Sequence, residues 1–254
     1  MLLAVDVGNT NIVIGLFDND RLVCDWRVRT TPEITEDEFG IKLSSLFSFG
    51  NINPADIHMT IVSCVVPAMM KVIDGYCRKS LGHAPQWVDA SVVNMPVLYD
   101  NPEEVGADRL VNAVAAYQRY QTSLIVIDFG TATTFDAITA AGEYIGGAIA
   151  PGIKISADAL FQRASKLPKV ELFQPPATVI GKTTVHSMKS GILFGYAAMV
   201  DGMVERMKQE MGSPEPKVIA TGGLAPLMRD VTKTIASVES GLTLEGLLII
   251  SRMM

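Results

Sequence analysis

The sequence has few cysteines, no long apolar run and no block of basic residues, and each absence excludes a class of protein. Cys24, Cys64 and Cys77 are odd in number and form no CxxC pair. We therefore expect reduced thiols, as in a cytoplasmic protein, rather than a disulfide framework. The longest apolar runs, such as SLIVI at 123–127, have strand length, so no membrane-spanning helix is predicted. Asp6 interrupts the first apolar stretch, and the start is therefore unlike a signal peptide.

The charge balance argues against a nucleic-acid partner or a membrane surface. The chain carries 21 Lys and Arg against 27 Asp and Glu, for a net charge of −6, and its basic residues do not cluster. Hydrophobic residues make up 48% of the 254, which is enough to build one or two cores. A chain of this length favours two domains.

Several familiar site patterns are also missing. The segment ATVIGKTT ends like a phosphate-binding loop, but Pro176 occupies the position of the first glycine. A dinucleotide-binding G-x-G-x-x-G does not follow any predicted strand, and no G-x-S-x-G or Cys/His arrangement indicates acyl transfer. The three histidines, His58, His83 and His186, are isolated, which is typical of surface or packing residues rather than metal ligands.

The first half of the chain reads as a strand meander followed by strand and helix alternation. Residues 2–7, 11–17 and 21–28 are predicted strands, and a helix follows whose N-cap is Thr35, with Glu38 completing a capping box. A buried strand at 58–66, a helix ended by Gly82 and a short strand at 85–91 come next. This order predicts a mixed sheet covered by helices.

The second half begins in the same way. The segment SLIVIDFGTATTFDAITAAGEYIGGAIAPG contains an apolar strand, the pattern D-x-G, a Thr-rich turn and two further strands. Aligning Asp6 with Asp128 also places Gly8 on Gly130, which indicates an internal duplication. We predict further helices near 152–166, 184–211 and 224–231, a strand at 216–221 and a closing helix that packs on either half.

The duplicated D-x-G turns suggest a phosphate site. Glycine lets the backbone approach a ligand, and successive N–H groups in such turns attract anions. Hydroxyls of Thr10, Thr131, Thr133 and Thr134 would add donors, while the two acids would hold a cation that bridges the phosphates. Either D-x-G alone is more typical of a simple turn, but the matched pair favours a site. Gly222-Gly223, after the strand at 216–221, could pack against an adenine or simply turn the chain into a helix.

A second concentration of polar residues lies before a predicted helix. Asp108 and Arg109 fall in its first turn, where Asp is favourable for the helix dipole but Arg is not. A carboxylate substrate held by Arg109, with Asp108 accepting a hydroxyl proton, would explain both residues.

Taken together, these motifs resemble the type III pantothenate kinase family. The resemblance spans nearly the whole chain in order and is carried by DVGNT at 6–10, GADR at 106–109, DFGTATT at 128–134, GGAIAPG at 146–152 and GKTT at 181–184. One departure is Thr183, where the family pattern leads us to expect Asn. The resemblance implies an α/β fold of duplicated ribonuclease-H-like (actin-like ATPase) domains, with mixed five-stranded sheets flanked by helices and a nucleotide cleft between them. We place the domains at 1–118 and 119–254.

The resemblance also implies the reaction and its residues. The γ-phosphate of ATP would pass to pantothenate, the first step towards coenzyme A, in a cytoplasmic homodimer. Asp108 would be the general base, Asp6 would lie near Mg²⁺ directly or through water, and Asp128 would bind the monovalent cation, K⁺ or NH₄⁺. The remaining assignments are ATP binding by Asp6, Val7, Gly8, Asn9, Thr10, Asn11, Ile12, Val13 and Thr131, and pantothenate binding by Tyr99, Gly106, Ala107, Asp108, Arg109 and Thr184. Thr184 could equally be the N-cap of the helix that follows it.

Three other functions use the same fold. A regulatory protein resembling the Bvg accessory factor would act through partners, but the intact Asp108, Asp128 and phosphate turns argue against a purely regulatory role. A chaperone-like ATPase is disfavoured because no substrate-binding domain follows the core. A sugar or acetate kinase, which would use the same D-x-G turns, is the nearest enzymatic alternative.

Overall fold

The computed structural model describes residues 1–172, 174–212 and 215–254. These residues form two compact units. Unit 1 contains residues 1–95, 99–115 and 242–254, and unit 2 contains residues 96–98 and 116–241. The predicted division into residues 1–118 and 119–254 stays a prediction, as does the expected nucleotide cleft.

Unit 1 is built on a mixed five-stranded sheet in the order β3-β2-β1-β4-β5. The first three strands are antiparallel neighbours, whereas β4 runs parallel to both β1 and β5. The strands are β1 (Leu2–Val7), β2 (Asn11–Asp18), β3 (Arg21–Arg29), β4 (Met59–Cys64) and β5 (Gln86–Trp87). The helices are α1 (Glu36–Phe49), α2 (Pro67–Tyr76), α3 (Ala107–Tyr120), whose last residues belong to unit 2, and α7 (Leu242–Ser251). The predicted meander and the mixed sheet are both confirmed.

The ends of the unit 1 helices follow from local chemistry. At the start of α1, the Thr35 hydroxyl accepts a hydrogen bond from the Glu38 backbone N–H, and the Glu38 carboxylate accepts one from the Thr35 N–H, at 2.9 Å. This reciprocal pair is the predicted capping box. After α2, a π-helical turn over Cys77–Leu81 ends at Gly82, whose φ of 76° suits a residue without a side chain.

The closing helix α7 belongs to unit 1 and packs on β1, β2 and β4. Two glycines make this close packing possible, one on β2 facing α7 and one on α7 facing α3. A Cβ at Gly15 of β2 would lie 2.9 Å from the Leu244 side chain, and a Cβ at Gly246 would lie 2.3 Å from the Val111 carbonyl of α3. Thr243 also donates a hydrogen bond to the buried Asn112 side chain at 2.8 Å.

Unit 2 repeats the sheet of unit 1. Its order is β10-β9-β6-β7-β8, with β6, β7 and β8 antiparallel neighbours and β9 parallel to β6. The strands are β6 (Leu124–Phe129), β7 (Ala132–Ile138), β8 (Tyr144–Pro151), β9 (Lys217–Thr221) and β10 (Ser237–Val238). One face is covered by α4 (Ile153–Arg163), α5 (Thr184–Met211) and α6 (Ala225–Arg229), which share a buried core with the strands.

The strand registers confirm the duplication and refine the alignment. Asp6 lies opposite Val13 in the first hairpin, whereas Asp128 lies opposite Thr134 in the second, so the second turn is one residue shorter. On the parallel side, Asp6 is in register with Ser63 and Asp128 with Thr221. Each acid is therefore the penultimate residue of the central strand of its sheet and has a hydroxyl residue beside it.

Two details of the second unit differ from the sequence-based expectations. Thr183 is the N-cap of α5, since its hydroxyl accepts a hydrogen bond from the His186 N–H, and Thr184 is the first helical residue. The suggestion that Thr184 could cap this helix is therefore wrong. The two-residue strand β10 was not predicted, because two residues are too few to produce a recognisable pattern. In the described ranges, none of the helices is both long and apolar enough to span a membrane.

Candidate active site

The first candidate element is the β1–β2 hairpin of unit 1, which carries Asp6 at its rim. Asp6 lies at the penultimate position of β1 and is half-buried, with its Oδ1 accepting a hydrogen bond from the Ser63 hydroxyl at 2.9 Å. Ser63 is fully buried on β4. Because the donor is fixed within a strand, it holds the carboxylate in one orientation at the end of β1.

The turn of this hairpin is closed by its own backbone and by Thr30. The Gly8 N–H donates to the Asn11 carbonyl at 3.0 Å, so this amide is used inside the turn. Thr30, which follows β3, donates its hydroxyl to the Gly8 carbonyl at 2.6 Å and its N–H to the Thr10 carbonyl at 3.0 Å. Asn9 and Thr10 are exposed at the tip.

The predicted ATP residues of unit 1 differ in what their side chains can reach. Val7 and Ile12 are buried, at 0% and 2% exposure, and pack in the unit 1 core. Only their backbones could line a nucleotide. The exposed tip and the half-buried Asp6, Asn11 and Val13 are the positions from which side chains could contact the nucleotide or a cation.

The second candidate element is the β6–β7 hairpin of unit 2, with Asp128 at the equivalent position. The turn contains Gly130, whose N–H donates to the Ala132 carbonyl at 3.0 Å. Gly222, after β9, lies against the acid, because a Cβ there would stand 2.4 Å from Asp128 Oδ1. Its φ of 90° also disfavours any residue with a side chain. Gly222 therefore leaves the room in which the Asp128 carboxylate sits.

Two of the threonines proposed as phosphate donors do not fit that role. Thr133 is fully buried, and its hydroxyl has no hydrogen-bond partner among the described residues. Thr134 donates its proton to the Asp136 carboxylate at 3.2 Å, and Asp136 also accepts from the Tyr144 hydroxyl at 2.7 Å. Strand alternation turns Thr133 into the sheet interior, and a second acid takes the proton of Thr134, so this arrangement disfavours both assignments, which stay predictions.

The third candidate element is the start of α3 in unit 1. Asp108 lies in the first turn and its Oδ1 accepts the Arg109 backbone N–H at 2.8 Å. Burial raises the pKa of the Asp108 carboxyl above its usual value, and the hydrogen bond from that N–H and the Arg109 charge offset the rise only in part. A carboxylate with a raised pKa is a stronger base than an ordinary one.

Gly106 leaves space beside this carboxylate. A Cβ at position 106 would lie 2.7 Å from Asp108 Oδ1 and 3.6 Å from the Val65 side chain. Val65 in turn donates its N–H to the Val7 carbonyl at the end of β1, at 3.1 Å. Within unit 1, the structure therefore brings the Asp108 loop to the same sheet edge as the Asp6 hairpin.

The other predicted residues have varied surroundings. Ala107 and Arg109 are buried, with 7% and 6% exposure, whereas Tyr99 is half-buried in a bend and Thr184 is exposed at the start of α5. In unit 2, the Thr131 carbonyl accepts the Gly152 N–H at 3.1 Å, and a Cβ at Gly152 would lie only 2.1 Å from that oxygen. Gly152 thus supports the second turn closely.

Sequence reasoning missed the residues that hold these elements in place. Ser63 and Thr30 had no role in the prediction, Gly152 entered only as the last residue of the GGAIAPG motif, and Gly222 was considered only as an adenine contact or a turn. The one signal in the sequence is the repeat itself, since Ser63 and Thr221 occupy matched positions beside the two acids.

A cation at these hairpins would need ligands besides protein carboxylates. In residues 1–172, 174–212 and 215–254, no group of three or more His, Cys, Asp or Glu side chains is arranged to hold a metal ion. Mg²⁺ commonly binds through one or two carboxylates, with substrate phosphates and water as the other ligands. Asp6 and Asp128 fit that pattern, because each supplies a single carboxylate next to a glycine-containing hairpin turn.

Comparison with known proteins identifies the family to which this chain belongs. The sequence profile of the family described as Type III pantothenate kinase matches residues 2–206. The chain belongs to the type III pantothenate kinase family. A type III pantothenate kinase from Desulfatibacillum aliphaticivorans is 63% identical over 251 residues, covering 98% of this chain and 97% of the relative.

Solved structures of other proteins share this fold. A protein named as a 2-dehydro-3-deoxygalactonokinase from Sinorhizobium meliloti superposes with a TM-score of 0.65 at 13% identity, covering 99% of this chain and 98% of that one. A protein named as a Baf family transcriptional activator from Campylobacter jejuni gives a TM-score of 0.62 at 16% identity, covering 98% and 97%. At these identities the likeness concerns the fold alone. As a member of a family of ATP-dependent kinases, this chain requires a divalent metal ion together with its nucleotide.

Proposed function

We propose that this chain transfers the γ-phosphate of ATP to the primary hydroxyl of pantothenate, giving 4′-phosphopantothenate and ADP in the first step of coenzyme A biosynthesis. The observation that carries the residue-level proposal is the Asp108 carboxylate, whose pKa is raised by burial and beside which Gly106 leaves space at the sheet edge that carries Asp6. Family membership supports the choice of ATP and pantothenate.

In this proposal Asp108 acts as the general base. Its carboxylate accepts the proton of the pantothenate hydroxyl, whose oxygen forms a bond to the γ-phosphorus as the bond to the β-phosphate oxygen of ADP breaks. Tyr99, Gly106, Ala107, Arg109 and Thr184 bind pantothenate. Arg109 offsets negative charge near the base, which is consistent with its contribution to the pKa of Asp108.

The two acidic hairpins serve the nucleotide. Residues 6–13 and Thr131 bind ATP, with backbone N–H groups of the turns facing phosphate oxygens. Asp6 would hold Mg²⁺, directly or through water, and Asp128 would hold K⁺ or NH₄⁺. The cations offset phosphate charge when bound. The half-buried Asp128 carboxylate, next to the turn that contains Gly130, supports the second assignment.

We also propose that the enzyme is a cytoplasmic homodimer. Its sheet edge strand β8 and the following α4 expose large apolar side chains that would be covered by a second copy: Ile149, Ile155, Leu160 and Phe161. Light scattering during gel filtration tests this directly. A monomer at micromolar concentration would contradict it.

The acceptor assay tests the function. Purified protein is incubated with ATP, MgCl₂ and either KCl or NaCl at equal ionic strength, with pantothenate, glucose or acetate as acceptor, and ADP release and the phosphorylated product are measured. We expect 4′-phosphopantothenate in the potassium sample and little turnover in sodium. Phosphorylation of glucose or acetate but not of pantothenate would refute the acceptor, and equal rates in both salts would refute the monovalent-cation site.

The regulatory and sugar kinase alternatives have less support. A likeness of the same degree is found for the kinase-named protein from Sinorhizobium meliloti, so the fold likeness to a Baf-named protein does not favour a regulatory role. A sugar kinase remains an outcome of the acceptor assay, although family membership does not favour it.

A further inference from the structure

We infer that Thr30 is a positioning residue for the ATP phosphates, acting through the backbone of the β1–β2 turn. This inference rests on the proposed function, since it assumes that the turn faces the nucleotide. Thr30 lies just after β3, outside the D-x-G motif, and only 7% of it is exposed. It binds the turn twice, through its hydroxyl to the Gly8 carbonyl at 2.6 Å and through its N–H to the Thr10 carbonyl at 3.0 Å.

The first of these bonds fixes the orientation of a whole peptide unit. The Gly8 carbonyl and the Asn9 N–H belong to one peptide plane, and no peptide bond of the described residues is cis, so the two groups point in opposite directions. When Thr30 holds the carbonyl, the Asn9 N–H is directed to the other side of the turn. Without the hydroxyl, a rotation of this flexible Gly-containing unit would present a carbonyl oxygen, which repels phosphate, in place of the donor.

The second bond, from the Thr30 backbone N–H, fixes the orientation of the Thr10 carbonyl in the same turn. The Thr10 carbonyl is held by the Thr30 N–H, which any residue at position 30 except proline could supply. The hydroxyl bond to Gly8 is therefore the part of the arrangement that depends on the identity of the side chain. A substitution that removes only the hydroxyl should loosen the Gly8–Asn9 peptide and leave the rest of the hairpin paired.

The β6–β7 hairpin supports this interpretation, because it contains the equivalent of the backbone bond made by Thr30 but not of the hydroxyl bond. Gly152 follows β8 as Thr30 follows β3, and it donates its N–H to the Thr131 carbonyl at 3.1 Å. Glycine has no hydroxyl to hold the Gly130 carbonyl. Instead its backbone packs against the turn so closely that a Cβ would lie 2.7 Å from that oxygen. The side-chain bond is thus specific to the turn that carries Asp6.

A structural role for the Thr30 hydroxyl is the competing explanation, and Thr60 provides the matched control. Thr60 is a buried threonine in unit 1 whose hydroxyl bonds the His83 ring at 3.0 Å, and neither residue belongs to the proposed site. Thr30→Val and Thr60→Val each remove one hydroxyl while keeping a branched side chain of nearly equal size. Thr30→Ser keeps the hydroxyl and removes only the methyl group.

The test measures ATP affinity by titration calorimetry in the absence of pantothenate, so that an error in the acceptor does not affect it. We expect Thr30→Val to weaken ATP binding about tenfold, the effect of one buried hydrogen bond. Thr60→Val and Thr30→Ser should stay within about twofold of the unchanged protein. In turnover assays, the KM for ATP should rise in Thr30→Val while the KM for pantothenate stays the same.

Equal ATP affinities in Thr30→Val and Thr60→Val would overturn the inference. If Thr30→Val does not fold, Thr30→Ala, which removes the same hydroxyl, replaces it in the comparison with Thr60→Val. An affinity loss as large as tenfold in Thr30→Ser, which keeps the hydroxyl, would overturn the inference too. A chain that binds ATP but does not phosphorylate pantothenate would refute the proposed acceptor and leave this test valid. A chain that binds no ATP would overturn both.

Discussion

Replacing Gly222 with alanine should destabilise unit 2 and disturb Asp128, and the structure allows the size of the effect to be worked out. The new Cβ would stand 2.4 Å from Asp128 Oδ1 and 2.7 Å from both the carbonyl carbon and oxygen of Phe129. The Asp128 side chain could rotate away, but the Phe129 backbone is part of β6 and cannot move without disturbing the sheet. Relief of the overlap therefore has to come from both Asp128 and the β9–α6 turn.

Two costs add for this substitution. Alanine at a φ of 90° costs about 1–2 kcal/mol relative to glycine. Crowding into a packed site typically costs a further ~1–3 kcal/mol. The sum of roughly 2–5 kcal/mol is a large share of the stability of an average domain and corresponds to a fall in Tm of about 4–20 °C.

Gly223 provides the matched control because it is the next residue in the same turn. A Cβ there would meet no atom within 4 Å, and its φ lies outside the left-handed region. Gly223→Ala should therefore leave the Tm unchanged or raise it slightly. Thermal unfolding followed by circular dichroism compares the two variants, and potassium stimulation of turnover reports on Asp128. If Gly222→Ala unfolds at the same temperature as Gly223→Ala, the argument from close packing at Asp128 is wrong.

Further predictions concern the base and the first helix. Asp108→Asn should lower kcat by about 10²–10⁴-fold while calorimetric ATP affinity is kept, whereas Asp25→Asn, at an exposed position on β3, should leave kcat unchanged. Because burial raises the pKa of Asp108, kcat should fall, as pH decreases, at a higher pH than an ordinary carboxyl would give, and a pH–rate profile that stays flat down to the usual carboxyl range would contradict this. The raised pKa also affects the free energy of unfolding, because the ionised form of Asp108 is disfavoured in the folded chain. Stability should therefore be lost as pH rises through the raised pKa. At neutral pH, Asp108→Asn should unfold at a higher urea concentration than the unchanged protein. Thr35→Ala removes the cap of α1 and should cost about 1 kcal/mol in urea unfolding, clearly more than Ser45→Ala on the exposed face of the same helix.

The prediction of the fold succeeded where neighbouring residues determine the structure. The capping box joins Thr35 to a residue three positions away, and the end of the second helical segment at Gly82 depends on that residue's own backbone freedom. The two hairpins are also encoded locally, as apolar strands interrupted by an acid and a glycine. The replacement of the expected Asn by Thr183 fits the same logic, because both residues are good N-caps and Thr183 does cap α5.

The sequence by itself therefore determined the duplicated hairpins, the helix ends, the position of Asp108 in a first turn and, through its motifs, the family. Tertiary structure decided how the acids and turns are held. Ser63 reaches Asp6 from 57 residues away, and Thr30 reaches Gly8 from 22. Parallel pairing of β1 with β4 creates the first contact, and antiparallel pairing of β2 with β3 creates the second. A hydroxyl residue in the sequence gives no sign of which carbonyl or carboxylate it will meet. Burial likewise separated Thr133, which lies inside the sheet, from Thr10, which lies exposed at the tip of its turn, although both stand in similar Thr-rich turns of the sequence.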